Sequence, residues 1–267
     1  MEKKMKSIGF IGVGKMATAI ISGLDKDKFN IFISGRDLEK TQKQATELQV
    51  LAMASHEELV EKSDFVVLSV KPQVLAKITD EILPALTADK TIISIAAGYT
   101  LSDLAHLMTL ENMPILRVMP NINAKIQRST SAIVRNEFVS DDNYQFAKEI
   151  FENIGSVHEV AEKDFSAFTA IAGSSPAFIY IFIDALARAG VFHGLSKEQA
   201  TAIVADTVAA SAEMVIQSGE NPWTLVDQVS SPGGTTVAGV VSLEQNRFVG
   251  TVIDSITATI EKEKALK

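Results

Sequence analysis

Three clusters of residues in this chain have the types and spacing to do chemistry. The first is Gly12-Val13-Gly14-Lys15-Met16-Ala17, which directly follows the apolar run Ser7–Ile11 and leads into Ala19, Ile20 and Ile21. In a strand–turn–helix setting, Gly12 allows the tight turn and Gly14 lets the backbone approach a pyrophosphate. Ala17 permits close helix–strand packing. The helix would then offer its amino-terminal N–H groups and positive dipole end to phosphates. The plain alternative is a tight turn with no ligand.

The second cluster is Ser34-Gly35-Arg36, after the apolar residues 30–33. NAD binders usually place a carboxylate at the end of this strand for the ribose 2′-hydroxyl. A hydroxyl and a guanidinium there suit a 2′-phosphate, which favours NADPH, with NADH as the alternative. Asp37 is close by, and it could instead cap a helix beginning at Leu38. The third cluster is Ser230-Ser231-Pro232-Gly233-Gly234-Thr235-Thr236. Its backbone N–H groups could form an anion nest at a helix start, with Ser231, Thr235 and Thr236 adding hydroxyl donors. A substrate carboxylate would be its natural guest. A capped helix behind a Pro-Gly turn reads the same segment without a ligand.

The elements that must position these clusters follow from periodicity. Near-continuous apolar runs at residues 7–11, 30–33, 65–70, 91–96 and 116–119 suit strands buried on both faces of a parallel sheet. Residues 131–135 and 156–160 add two more strands. Amphipathic stretches at residues 38–48 and 74–83 serve as crossover helices. Later strand ends also face the cofactor crevice in this layout, which singles out Val70-Lys71-Pro72 and Ala96-Ala97-Gly98. Lys71 reads equally as a solvated strand-end lysine. After about residue 160 the strand signal stops, and residues 166–172, 176–189, 197–217 and 236–260 all read as helix. Ser174-Ser175 before Pro176 looks like a cap and first-turn proline. Ser196 and Gln199 fit a capping box, with Gly219 as the stop. The expected fold class is α/β, a doubly wound Rossmann-type domain over residues 1–160 followed by an all-α domain over residues 161–267.

Composition narrows the function. The chain has 267 residues, 46% apolar, with a net charge of −8, which argues against a nucleic-acid partner. It has no cysteine, which excludes disulfides, thiolate catalysis and cysteine-based zinc sites. His56, His106, His158 and His193 never fall at metal-ligand spacing, so no metal site is expected. The first apolar run is too short for a signal peptide. Residues 200–216, interrupted by Asp206 and Glu213, fall short of a spanning length. A soluble cytoplasmic protein without a membrane partner is expected.

From end to end the chain resembles the pyrroline-5-carboxylate reductase family. The resemblance rests on residues 9–17, Val70-Lys71-Pro72, Ser94-Ile95-Ala96-Ala97-Gly98 and Arg117-Val118-Met119-Pro120-Asn121. It also rests on Gly173-Ser174-Ser175-Pro176-Ala177 and Ser231-Pro232-Gly233-Gly234-Thr235-Thr236, the last followed by Leu243-Glu244 and specific to this family. It implies reduction of 1-pyrroline-5-carboxylate to L-proline, the last step of proline biosynthesis. By the same resemblance Ile11, Gly12, Val13, Gly14, Lys15, Met16, Ser34, Arg36, His56, Ser69, Val70, Lys71, Pro72, Ile95, Ala96 and Ala97 bind the cofactor. Ser231, Gly234 and Thr235 hold the substrate carboxylate, Glu162 is an acidic substrate-side residue, and Thr236 hydrogen-bonds the ring nitrogen and assists its protonation. A homodimer through the helical domain, assembled into larger rings, is also implied. Imine reduction asks for positioning, a nearby donor and a dry pocket, so the absence of a catalytic Lys or His is no objection.

The chain departs from the family's usual pattern at Ile122-Asn123, at Ser175, at His56 (often an asparagine) and at Gly35. One rival on the same scaffold is a β-hydroxyacid dehydrogenase, which needs a helix-borne catalytic lysine. The later helices offer only Lys197 and the tail lysines Lys262, Lys264 and Lys267. A non-catalytic NADPH-binding scaffold is the rival from another class, and the intact Thr235-Thr236 pair argues against it.

Overall fold

Ile and Val crowd the short runs of the first half, and those runs become strands closed to solvent on both faces. The computed structural model describes residues 5–265; the charged start at residues 1–4 and the tail lysine Lys267 lie outside the described residues. The chain alternates β1 (Ser7–Ile11), α1 (Lys15–Gly23), β2 (Asn30–Ser34), α2 (Leu38–Leu48), β3 (Leu51–Ala52), α3 (His56–Lys62), β4 (Phe65–Leu68) and α4 (Pro72–Ile82). It continues through β5 (Thr91–Ser94), α5 (Leu101–Met108), β6 (Ile115–Met119), β7 (Ser129–Arg135), α6 (Asp141–Glu152) and β8 (Gly155–Glu159). The sheet order is β3-β2-β1-β4-β5-β6-β7-β8. All pairs are parallel except β6 with β7.

Side chains alternate across the sheet and feed two cores. Ile8 and Phe10 of β1 pack with Ile20, Ile21, Ile150 and Phe151 on one face. Ile11, Val66 and Leu68 pack with Leu59, Leu75 and Leu104 on the other. The doubly wound expectation holds, with β1 and β4 flanking the point where the strand order reverses. That switch point is where open α/β sheets bind ligands, beyond the strands' carboxyl ends.

Beyond β8 the described residues form only helices: α7 (Phe165–Phe168), α8 (Ser175–Phe192), α9 (Lys197–Ser218), α10 (Pro222–Val229), α11 (Thr235–Gln245) and α12 (Phe248–Lys264). The backbone clusters into two units, residues 5–173 with 263–265 and residues 174–262. Two expectations are corrected here. Ser174 is itself helical and makes no side-chain cap, because α8 continues from a π-helical turn over Thr169–Ser174. The long helix expected at residues 236–260 is two, because Arg247 takes a left-handed φ of 59° between α11 and α12. α9 is bounded by Ser196, which accepts from Gln199 N–H as one half of the expected capping box, and by Gly219, left-handed at its carboxyl end.

Residues 200–216, expected to fall short of a spanning length, lie within α9, which was expected at residues 197–217 and runs for 22 residues. Glu162–Phe192 and Lys197–Ser218 are both long and apolar enough to cross a membrane by length and composition. Within the helical unit, Ala187 and Ala200 are the buried residues among those described. Phe192, Ile216 and Ile181 are 85%, 75% and 69% exposed. Apolar helix faces of this extent need a covering surface.

Candidate active site

The cofactor candidates gather at the carboxyl edge of the sheet. Gly12 leaves β1 at φ +88°, where a Cβ would lie 2.8 Å from Val70 Cγ1 and 3.1 Å from Ser69 O. No side chain other than hydrogen fits there without strain. Gly14 is the N-cap of α1, with no side-chain cap and no acidic residue in the first turn. A Cβ on Gly14 would meet nothing within 4 Å, so the backbone faces open space at a positive helix end. Ala17 is 1% exposed and takes the packing role. Lys15 is exposed, while Val13 and Met16 are half-buried.

The carbonyls of this turn are occupied from within the protein. Ser69 Oγ lies 2.9 Å from Ile11 O and 2.6 Å from Gly12 O. Ser69 N–H donates to Ile11 O at 3.1 Å. Gln44 Nε2 of α2 donates to Val13 O at 3.0 Å. Phosphate-binding donors therefore remain the dominant polar groups of the turn. The residues fit a dinucleotide pyrophosphate, by the open cradle at Gly14 and the uncapped start of α1.

At the end of β2, Ser34 is buried and Arg36 is exposed. Ser34 Oγ lies 2.7 Å from His56 Nδ1. Asp37 is the N-cap of α2 and accepts from Lys40 N–H at 3.0 Å. The capping reading of Asp37 thus holds, and it leaves Ser34 and Arg36 as the polar groups at this strand end. Lys71 caps α4 through its backbone with Pro72 in the first turn. Ile95 N–H donates to Leu68 O at 3.2 Å, which sets Ile95, Ala96 and Ala97 at the end of β5.

The substrate candidates divide between the two units. Glu162 follows β8, and its Oε1 accepts from Leu101 N–H at 2.6 Å and from Arg117 Nη1 at 3.3 Å. Arg117 is only 4% exposed and stacks 4.3 Å from the Phe165 ring centre. Burial lowers its pKa, with Glu162 opposing that shift. Ser231, Gly234, Thr235 and Thr236 lie together in the helical unit. Gly234 N–H donates to Ser231 O at 2.9 Å, and Gly233 between them has a φ of +67°. Pro then Gly at the centre of such a turn is the type II preference. A Cβ on Gly234 would sit 2.6 Å from Ser231 Oγ. Gly234 is the N-cap of α11, again with no side-chain cap and no acid in the first turn. Thr235 and Thr236 are exposed at that helix start.

Comparison with known proteins agrees with both halves. Residues 162–266 match the family model described as pyrroline-5-carboxylate reductase dimerisation. Residues 7–98 match the one described as NADP oxidoreductase coenzyme F420-dependent. A pyrroline-5-carboxylate reductase of Aquifex aeolicus is 38% identical, over 97% of this chain and 97% of its own. The chain belongs to the pyrroline-5-carboxylate reductase family. Among solved structures of that family, a 1-pyrroline-5-carboxylate reductase from Streptococcus pyogenes is 42% identical with a TM-score of 0.86. The match covers 97% of this chain and 98% of that one. A Plasmodium falciparum pyrroline carboxylate reductase with NADP bound is 34% identical with a TM-score of 0.85, covering 98% of each chain.

In this chain, two residues of the candidate site carry no local sequence signal for their contacts. Gln44 sits mid-helix and holds a turn 31 residues earlier, a contact that no local pattern announces. Arg117 appeared in a family motif, but its pairing with Glu162 across 45 residues did not.

Proposed function

We propose that the protein reduces 1-pyrroline-5-carboxylate to L-proline with NADPH. The observation that carries the reading is the Ser231–Gly234 turn opening α11 in a chain of this family. It is an uncapped helix start with two exposed threonines, turned by the left-handed Gly233. NADPH supplies the hydride that adds to the C=N carbon. The chain's residues do the rest. Ile11, Gly12, Val13, Gly14, Lys15 and Met16 take the pyrophosphate, and Ser34, with His56 behind it, and Arg36 take the 2′-phosphate. Ser69, Val70, Lys71, Pro72, Ile95, Ala96 and Ala97 bound the ribose and nicotinamide. Ser231 and the Thr235 N–H beside Gly234, whose own N–H is taken by Ser231 O, hold the substrate carboxylate. The Thr236 hydroxyl donates to the ring nitrogen as its electron pair gains a proton, while Glu162 stands on the substrate side. The functional division follows residues 1–160 for the cofactor and 161–267 for substrate and dimerisation.

The exposed apolar faces of α8 and α9 fall inside the dimerisation match, which supports a soluble homodimer over a membrane partner. Dimers assembling into larger rings, in the cytoplasm and without nucleic acid, complete the proposal. The test follows NADPH oxidation with 1-pyrroline-5-carboxylate for the wild type and Thr236→Ala. Turnover by the wild type and a loss of roughly a hundredfold in kcat for the variant are expected. No wild-type turnover would overturn the function, and full activity in the variant would overturn the role of Thr236.

A further inference from the structure

The end of β2 carries a chain of three side chains that the cofactor turn leaves unexplained. Ser34 Oγ lies 2.7 Å from His56 Nδ1, and His56 Nε2 lies 3.9 Å from Glu81 Oε2 on α4. Ser34 is 1% exposed and the His56 side chain 11%, so they meet largely out of water. The charged groups around the ring are few. From α4 come Glu81 and, 3.6 Å from its other oxygen, Lys77. β1, β2 and the turn Leu83–Ala85, which also pack on α3, carry no ionisable side chain. On α3 itself Glu58 is engaged with Ala54 N–H and Lys62, with Glu57 before it and Glu61 after it. Arg36 lies in the exposed loop after β2.

Proton placement in this chain has a consequence for any anion met by Ser34. The Glu81 carboxylate favours a proton on His56 Nε2. A neutral ring then has Nδ1 as an acceptor, and Ser34 must donate its single hydrogen to it. Ser34 is left with lone pairs only, which a phosphate repels. For Ser34 to donate to a phosphate, Nδ1 must carry a hydrogen and donate to Ser34 Oγ. Exchanging tautomers would set the bare Nε2 lone pair against Glu81. Taking up a proton satisfies both ends.

We propose that His56 is a positioning residue that couples recognition of the cofactor's 2′-phosphate to uptake of a proton, with Glu81 as its counter-charge. This rests on the assignment of Ser34 and Arg36 to the 2′-phosphate. In the free protein, burial lowers the His56 pKa below its ordinary value, with Glu81 opposing, so the ring is neutral near neutral pH. Binding favours the imidazolium. The preference for phosphorylated over unphosphorylated cofactor therefore falls as pH rises above the free-protein His56 pKa, with a limiting slope of about tenfold per pH unit. Below that pKa the slope vanishes. The phosphate's own second ionisation, near about 6, acts with the opposite sign and is common to every variant.

Calorimetric titration of NADP⁺ and NAD⁺ into the whole protein, in buffers of different ionisation enthalpy, counts the protons exchanged. Wild type should take up more protons with NADP⁺ than His56→Asn does, by up to about one. Glu81→Gln, at a 43% exposed side chain, should shrink that excess and move the pH profile of the NADP⁺/NAD⁺ affinity ratio to lower pH. His56→Asn should flatten that profile. Equal proton uptake and equal profiles in wild type and His56→Asn, with NADP⁺ still preferred and Arg36→Ala still weakening it, would overturn the coupling alone. Equal affinities for NADP⁺ and NAD⁺ at every pH, unchanged by Arg36→Ala, would overturn the 2′-phosphate assignment and the coupling together.

Discussion

In the unit built on the sheet, Ile8, Phe10, Val66 and Leu68 are closed to solvent, while in the helical unit Phe192 and Ile216 stand largely exposed. The first unit closes its own core on both faces of the sheet. The second, taken by itself, leaves large apolar side chains of its described helices open to solvent. The difference shows in the helices themselves. α4 is strongly one-sided and buries Leu75, Ile78, Thr79 and Ile82. α9 spreads its apolar residues around the helix and buries Ala200. Large apolar side chains exposed along a helix call for a covering surface, and here that surface is proposed to be a second copy of the chain.

The sharpest way to break this contrast is Ile181→Asp, on the exposed face of α8. A charge placed in an enclosed apolar interface costs several kcal/mol. Light scattering should show a monomer, and Tm should fall by about 10 °C. A wild type that is already monomeric would remove the contrast. The next effect belongs to the sheet unit. Glu162→Ala leaves Arg117 buried without its partner, and with Glu162 itself partly exposed the cost should be about 2 kcal/mol. Thermal unfolding checks that loss. KM for 1-pyrroline-5-carboxylate should rise as well, and an unchanged KM would take Glu162 out of the substrate set.

Gly12→Ala tests whether the sheet edge tolerates any change. The left-handed φ and the contact with Val70 should cost about 1–2 kcal/mol and weaken NADPH binding, read by fluorescence titration. A variant as stable and as tightly bound as wild type would contradict the turn's geometry. The smallest effect is expected from Arg36→Ala, an exposed side chain. It should leave Tm in place and reduce the NADPH/NADH ratio in kcat/KM by roughly tenfold.

The sheet was legible because buried parallel strands write continuous apolar runs, and β1, β2, β4 and β5 were found within two residues of their ends. β3, two residues long, writes no period. α5 and α6 have good caps, a full Thr100–Asp103 box and Ser140, but their apolar residues form no long continuous run to announce them. The break at Arg247 was invisible because no glycine or proline marks it. In the candidate site, the glycine turns were read from residue type alone, as backbone geometry there excludes other residues. The bonds from Gln44 to Val13 and from His56 to Ser34 join residues 31 and 22 positions apart. They depend on how α2 and α3 lie against the sheet, which no local pattern records.

The inward bonds from Ser69 and Gln44 have a consequence for the timing of free energy in binding. Peptide dipoles in a flexible loop must be reoriented when an anion arrives, and that work weakens the complex. Here the carbonyls of Ile11, Gly12 and Val13 are tied down as the chain folds, long before any phosphate is met. The orientational work belongs to folding, and the bound state inherits it already done.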